Sequence, residues 1–168
     1  MNSPEFEYLK QVLYERSGLV VTPEKGYLIE SRLSPIARRR GIGSVGQLIE
    51  EIRRTRDEDV LNQIVDAMTT NETLFFRDGW PFERLKTSLI PEVMNMAKTS
   101  RRIRIWSAAC SSGQEPYSLA MTLAEMGPLI AGWQIEIVAT DISDAMLARA
   151  ETGRYSMFEV SRGLPDHL

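Results

Sequence analysis

Residues 4–16 (PEFEYLKQVLYER) place Phe6, Leu9, Val12 and Leu13 on one face at helical spacing, and Ser17-Gly18 supplies the stop. Leu19-Val20-Val21 is too short an apolar run to assign. Thr22-Pro23 reads as a cap followed by a first-turn proline, opening a helix that runs to Arg40 and halts at Gly41, with Ile29, Leu33 and Ile36 as its buried stripe. Ser44 and Gln47 have the spacing of a capping box for a helix to about Arg54. After a charged, solvated turn over 53–59, Val60, Ile64, Ala67 and Met68 mark a fourth helix. Four short amphipathic helices in succession predict a compact helical domain over 1–70.

The pattern then changes. Residues 69–73 are polar and poor for helix, and they precede the apolar Leu74-Phe75-Phe76, a position that suits a functional loop. Residues 80–87 and 91–97 read as helices, so that 71–100 forms a helical linker carrying that loop. Residues 103–106 (IRIW) read as a buried strand, and 107–113 (SAACSSG) offer only small side chains. Small groups are needed where the backbone turns sharply or a ligand comes close, so a ligand-sized gap is expected there. Pro116 reads as a first helical position, with Tyr117, Leu119, Ala120, Leu123 and Ala124 as the apolar face. A second strand over 133–140 ends on Asp141, and 143–150 reads as a helix. Strand, tight loop, helix and strand are the opening of a nucleotide-type βαβ unit, whose ligand sits at the carboxyl ends of the strands. Residues 101–168 are thus the opening part of a ligand-binding domain.

At 168 residues the chain can bury one ordinary core, or a small helical domain plus part of another. Its 20 basic and 23 acidic residues give a net charge of −3, so no global field recruits nucleic acid and any basic patch is local. The single cysteine, Cys110, excludes an internal disulfide and fits a reducing compartment; its simplest role is a small packing residue. With no signal peptide and no apolar run long enough for a bilayer, no membrane insertion and a cytoplasmic location are expected. The one histidine, His167, receives no role, and the eight methionines read as core filler.

Charge at the tight loop narrows the ligand. A pyrophosphate wants several glycines and a helix N-terminus free of negative charge. This loop has one glycine, Gly113, and then Glu115 at the helix start. A carboxylate there repels phosphate and attracts a cation, although as a first-turn acid it could also simply favour the helix dipole by about 0.3 to 1 kcal/mol. Asp141 can accept the hydroxyls of a ribose or cap the helix that follows. S-adenosyl-L-methionine carries an ammonium group, a sulfonium and a ribose but no phosphate, so the electrostatics favour it over NAD or ATP, and a dinucleotide-binding oxidoreductase ranks last. Arg77 on its own would more often than not be a surface charge; next to Phe75 and Phe76, after a polar loop, it could instead be partly buried and form a fork onto a carboxylate.

These residues carry a resemblance. SAACSSGQEPYSLAM at 107–121, ATDIS at 139–143, GRYSMFEVSRGLP at 153–165 and MTTNETLFFRD at 68–78 closely resemble, in the same order, the chemotaxis receptor methyltransferases, or CheR family. The resemblance implies an α + α/β chain: an N-terminal helical bundle followed by the first part, two strands and two helices, of a Rossmann-like class I methyltransferase domain in truncated form. It implies S-adenosyl-L-methionine as cofactor, S-adenosyl-L-homocysteine as product, and methyl esterification of glutamate side chains on methyl-accepting chemotaxis receptors. Asn71, Thr73, Glu115 and Asp141 would contact the cofactor, with Arg77 at the active site beside it. Gln114 stands where many relatives have a second glutamate. Arg32, Arg38, Arg39 and Arg40, on base rates a solvated helix face, would meet the acidic receptor helices. Methyl transfer to an ionised carboxylate is an in-line displacement that needs no general base and no metal. The runner-up is a truncated, non-catalytic receptor-binding module. In either case the strand at 103–106 has an open edge, and pairing with another copy into a homodimer is expected to cover it.

Overall fold

The computed structural model describes residues 4–168, which divide between Thr70 and Asn71 into two compact units. Among the described residues no helix is long and apolar enough to cross a membrane.

The first unit is built from α1 (Pro4–Ser17), α2 (Gly26–Arg39), α3 (Val45–Thr55) and α4 (Glu58–Met68). The stripe expected on α1 is the one buried, Phe6, Leu9, Val12 and Leu13. On α2 it is Ile29, Leu33 and Ile36 with Ala37 added. Leu13, Leu33, Leu48 and Ile64, one from each helix, have no exposed surface and meet at the centre. Burying each side chain contributes roughly 1.5 to 3 kcal/mol. The short apolar run before α2 is split, Val21 entering the core while Val20 is exposed. Helix ends depart from expectation in detail. Pro23–Lys25 is a 3₁₀ turn, and the Thr22 hydroxyl donates to Glu24 rather than capping a backbone N–H. Ser44 accepts from the Gln47 N–H, which is the N-cap half of the expected box. Helix α4 begins inside the turn expected over 53–59, because the Asp57 carboxylate accepts from the Asp59 and Val60 N–H groups.

In the second unit, α5 (Trp80–Arg84), a π-helical turn (Leu85–Leu89) and α6 (Ile90–Met96) form one helical run rather than two separate helices. The wide turn precedes Pro91, which has no N–H to give the preceding turn, and the widening absorbs the proline without ending the helix. Strand β1 (Arg102–Ala108) pairs in parallel with β2 (Gln134–Thr140), Arg102 opposite Gln134 through Ala108 opposite Thr140, across a connection containing α7 (Gln114–Met126). After β2 come α8 (Asp144–Thr152) and α9 (Met157–Ser161).

The strand expected at 103–106 is buried on one side only, because among the described residues one face of this sheet is covered. Ile103, Ile105, Ile135 and Ile137 pack with Ile90, Leu123 and Met126. The opposite face shows Arg102, Arg104 and Trp106, the last 70% exposed with its indole N–H donating to Thr140 Oγ1 at 3.0 Å. The sheet holds two strands among the described residues, so each pairs along one edge.

Helix α7 also departs from its expected face. It starts at Gln114, two residues before Pro116, and its buried positions are Gln114, Ser118, Thr122, Leu123 and Met126; Ala120 and Ala124 are exposed. The polar stripe is buried because each group has a partner. Ser118 Oγ accepts from the Phe76 N–H at 2.9 Å and donates to the Gln114 carbonyl at 2.7 Å, and Thr122 Oγ1 donates to the Ser118 carbonyl at 2.8 Å.

Candidate functional site

The second unit gathers its polar side chains where β1 and β2 end. The backbone leaving β1 turns through Ala109 (φ 59°), Ser111 (φ 49°) and Gly113 (φ 97°), two of the three being left-handed residues with a side chain. Such conformations cost free energy and persist where the surroundings enforce them. Here the Cys110 N–H donates to the Thr140 carbonyl at 3.0 Å, and the Ser111 N–H to Asp141 Oδ2 at 2.6 Å. The other oxygen of Asp141 accepts from the Ser143 N–H at 2.9 Å. Asp141 therefore does not cap α8; the Ser143 hydroxyl does so, accepting from the Met146 N–H. The carboxylate instead ties the loop after β1 to the loop after β2, which suits it to a position under a ligand at the strand ends.

Glu115 lies in the first turn of α7, exposed, and its Oε1 accepts from the Ser107 hydroxyl at 2.7 Å. Ser107 itself has no exposed surface. One end of the carboxylate is thus fixed by the last turn of β1. Asn71 is brought to the same place through its main chain: the Ser111 hydroxyl donates to the Asn71 carbonyl at 2.7 Å. Thr73 is half-buried on the same segment. Arg77 is exposed, in line with the surface-charge reading, and its guanidinium donates to the Glu72 carbonyl at 3.2 Å rather than forking onto a carboxylate. The physical reason is local. Phe76 (φ 48°), Asp78 (φ 64°) and Gly79 (φ 61°) form a tight left-handed turn that buries Phe75 and carries Arg77 outward.

The small-residue loop is less of a gap than its composition implies. Cys110, Ser111, Ser112 and Gly113 are buried, leaving Ala108 and Ala109 as its open part. A Cβ on Gly113 would lie 2.8 Å from the Tyr155 hydroxyl and 2.9 Å from the Ala150 methyl, so its missing side chain makes room for protein rather than ligand. Gln114 is buried and accepts from the Ser112 hydroxyl at 2.8 Å, which makes it part of the support beneath the loop. Tyr155 completes that support. Its hydroxyl donates to the Ser112 carbonyl at 2.7 Å, and its ring stands edge-on to Phe75 and Tyr117. Burial, with Tyr117 alongside, pushes the phenol up to about 12. Burial and the neighbouring Asp141 raise the Cys110 thiol, which keeps it protonated and fits a packing role.

Comparison with known proteins places this geometry. Residues 71–168 match the family described as CheR methyltransferase, SAM binding domain, and residues 4–69 match CheR methyltransferase, all-alpha domain. The chain belongs to the CheR methyltransferase family. It is 46% identical over 170 residues to chemotaxis protein methyltransferase 1 of Pseudomonas aeruginosa, covering 98% of this chain and 61% of that protein. It is 44% identical to chemotaxis protein methyltransferase Cher2 of Pseudomonas putida (95% and 59%) and 42% identical to chemotaxis protein methyltransferase 1 of Vibrio cholerae (98% and 59%). The chain thus spans about three fifths of the length of these curated relatives.

The cofactor of a CheR SAM-binding domain is S-adenosyl-L-methionine, and the donor set present here fits it. Each Asp141 oxygen accepts one N–H and keeps a further lone pair for a ribose hydroxyl. The acid at the start of α7 is Glu115, exposed and hydrogen-bonded to Ser107, a setting that suits an ammonium group better than a phosphate.

In the CheR all-alpha domain the four arginines of the expected basic face separate into two kinds. Arg32 is half-buried, and its guanidinium donates to the carbonyls of Ala67, Met68 and Thr69 at 3.5, 2.6 and 3.1 Å, closing the C-terminus of α4. Arg40 pairs with Glu51 at 3.6 Å and Asp57 at 3.3 Å. Arg38 and Arg39 are exposed on the last turn of α2. Sequence reasoning gave no role to Ser107, Ser111, Ser118 or Tyr155. The signal available for Tyr155 was the GRYSMFEVSRGLP segment itself, whose Gly163 lies so close to Phe75 that a Cβ there would meet the Phe75 carbonyl oxygen at 2.1 Å.

Proposed function

We propose that this protein takes up S-adenosyl-L-methionine at the ends of β1 and β2, as part of an enzyme that esterifies glutamate side chains on methyl-accepting chemotaxis receptors. The observation that carries the reading is the arrangement of Glu115, in the first turn of α7, and Asp141, just after β2, each carboxylate held by a hydrogen bond from a serine of the 107–113 segment, within a stretch matching the CheR SAM-binding domain. The relatives' names, chemotaxis protein methyltransferases, support the receptor as substrate.

When bound, the cofactor supplies an electrophilic methyl group on a sulfonium. The chain's own residues orient and select: Asp141 takes the ribose hydroxyls, Glu115 the ammonium group, and Asn71 and Thr73 line the same end. Arg77, at rest on the Glu72 carbonyl, is free to meet the substrate carboxylate or that of the cofactor. A substrate glutamate is ionised at neutral pH, so no base has to be provided, and orienting two reactants can supply up to roughly 7 to 11 kcal/mol. Arg38 and Arg39 are the arginines left to meet acidic receptor helices, because Arg32 and Arg40 are engaged within the bundle. The receptor's cytoplasmic helices would place the protein in the cytoplasm. Homodimer formation draws support from the edge that each strand leaves unpaired among the described residues and from the apolar groove of Tyr117, Ala120, Ile137 and Leu147.

The direct test is methyl ester formation on receptor glutamates from labelled S-adenosyl-L-methionine, run beside light scattering for the dimer. Labelled ester on the glutamates is expected. Receptor binding without uptake of S-adenosyl-L-homocysteine selects the non-catalytic module, and a monomer at all concentrations removes the pairing.

A further inference from the structure

Ser111 is one residue with three constraints on it. Its hydroxyl donates to the Asn71 carbonyl at 2.7 Å, its N–H donates to Asp141 Oδ2 at 2.6 Å, and its backbone is left-handed at φ 49° although it carries a side chain. It is 5% exposed, so these hydrogen bonds are shielded from competing water. Its partners come from segments 40 and 30 residues away, the start of the polar loop at Asn71 and the end of β2. A residue that favours left-handed backbone would be glycine or asparagine. Glycine has no hydroxyl, and asparagine places its polar atoms further from the backbone, so serine gives up conformational preference for a short hydroxyl reach.

We propose that Ser111 is a positioning residue of the cofactor site, its hydroxyl holding the Asn71 main chain in a fixed relation to Asp141. The inference rests on the cofactor reading above. Asn71 and Asp141 would contact different parts of one ligand, and a link between them fixes their separation before the ligand arrives, so ordering is not lost from the binding free energy. The backbone N–H of Ser111 continues to serve Asp141 in any variant; the hydroxyl link to Asn71 is what a substitution removes.

Two variants separate this role from a contribution to stability alone. Ser111→Ala loses the hydroxyl and keeps a side chain in the left-handed conformation, whereas Ser111→Gly loses the hydroxyl and relieves that conformation. Calorimetric titration with S-adenosyl-L-homocysteine and thermal unfolding are measured on both in the 168-residue protein. The expected result is that both variants bind about tenfold more weakly than wild type, the loss of one buried hydrogen bond, while Ser111→Gly unfolds at a higher temperature than Ser111→Ala. Affinity equal to wild type in both variants, or affinity that follows the unfolding temperature with Ser111→Gly restored, overturns the positioning role and leaves the cofactor reading standing. Wild-type protein that takes up no S-adenosyl-L-homocysteine overturns the cofactor reading and this inference together.

Discussion

Arg32 and Arg38 lie on the same helix, look alike in the sequence, and are put to opposite uses by the fold. Arg32 reaches three carbonyls at the end of α4, so Arg32→Met is expected to destabilise the helical unit by about 1 to 3 kcal/mol, read by urea unfolding. Arg38→Glu and Arg39→Glu, both exposed, should change stability by less than about 0.5 kcal/mol and yet weaken binding to an acidic receptor fragment, the wild-type affinity falling as salt is raised. Unchanged stability in Arg32→Met, or unchanged receptor binding in the pair, contradicts this division. A helical pattern can place both arginines on a polar face, but it cannot say that the carbonyls of residues 67–69 will arrive beneath one of them. The same limit hid Ser107 and Ser111. The positions of Glu115 and Asp141 could be read because a helix start and a strand end are local features; a serine among small residues acquires its meaning from partners far along the chain.

At the level of elements, α1 through α4 were readable because each buries a continuous apolar stripe in a shared core. Helix α7 was not. Its inward face carries Gln114, Ser118 and Thr122, which become buried by hydrogen-bonding to a turn and to one another, and hydrophobic periodicity has no means of anticipating that. Strand β1 was placed correctly, and among the described residues it is covered on one side, Arg104 and Trp106 alternating with Ile103 and Ile105. The segment after α8 folds back on the tight loop through Tyr155, and this contact is pH-dependent. The Tyr155 phenol is raised from an ordinary 10.0 to about 12, chiefly by burial, so the folded state keeps a proton that the unfolded state releases. Its contribution to stability is fully present below pH 10 and is lost as pH rises from there through about 12. Unfolding curves across that window should fall more steeply for wild type than for Tyr155→Phe; parallel curves would show that the phenol does not titrate as described.

At the scale of the whole chain, the helical unit buries one shared core, whereas among the described residues the second unit leaves one sheet face, two strand edges and the groove beside α7 exposed. Among the described residues, the ends of the two strands are tied together by hydrogen bonds between loops, Ser111 to Asp141 and Ser111 to Asn71. In the proposed function, ligand preference would follow from charge: acids at the helix start and strand end, and no glycine-rich phosphate turn. Calorimetric titration of the protein with S-adenosyl-L-homocysteine and, separately, with NAD tests that claim most directly, with Glu115→Gln and Asp141→Asn as variants. The account predicts uptake of S-adenosyl-L-homocysteine but not NAD, weakened about tenfold or more by either substitution. Preference for NAD, or binding of S-adenosyl-L-homocysteine that neither substitution alters, would contradict it.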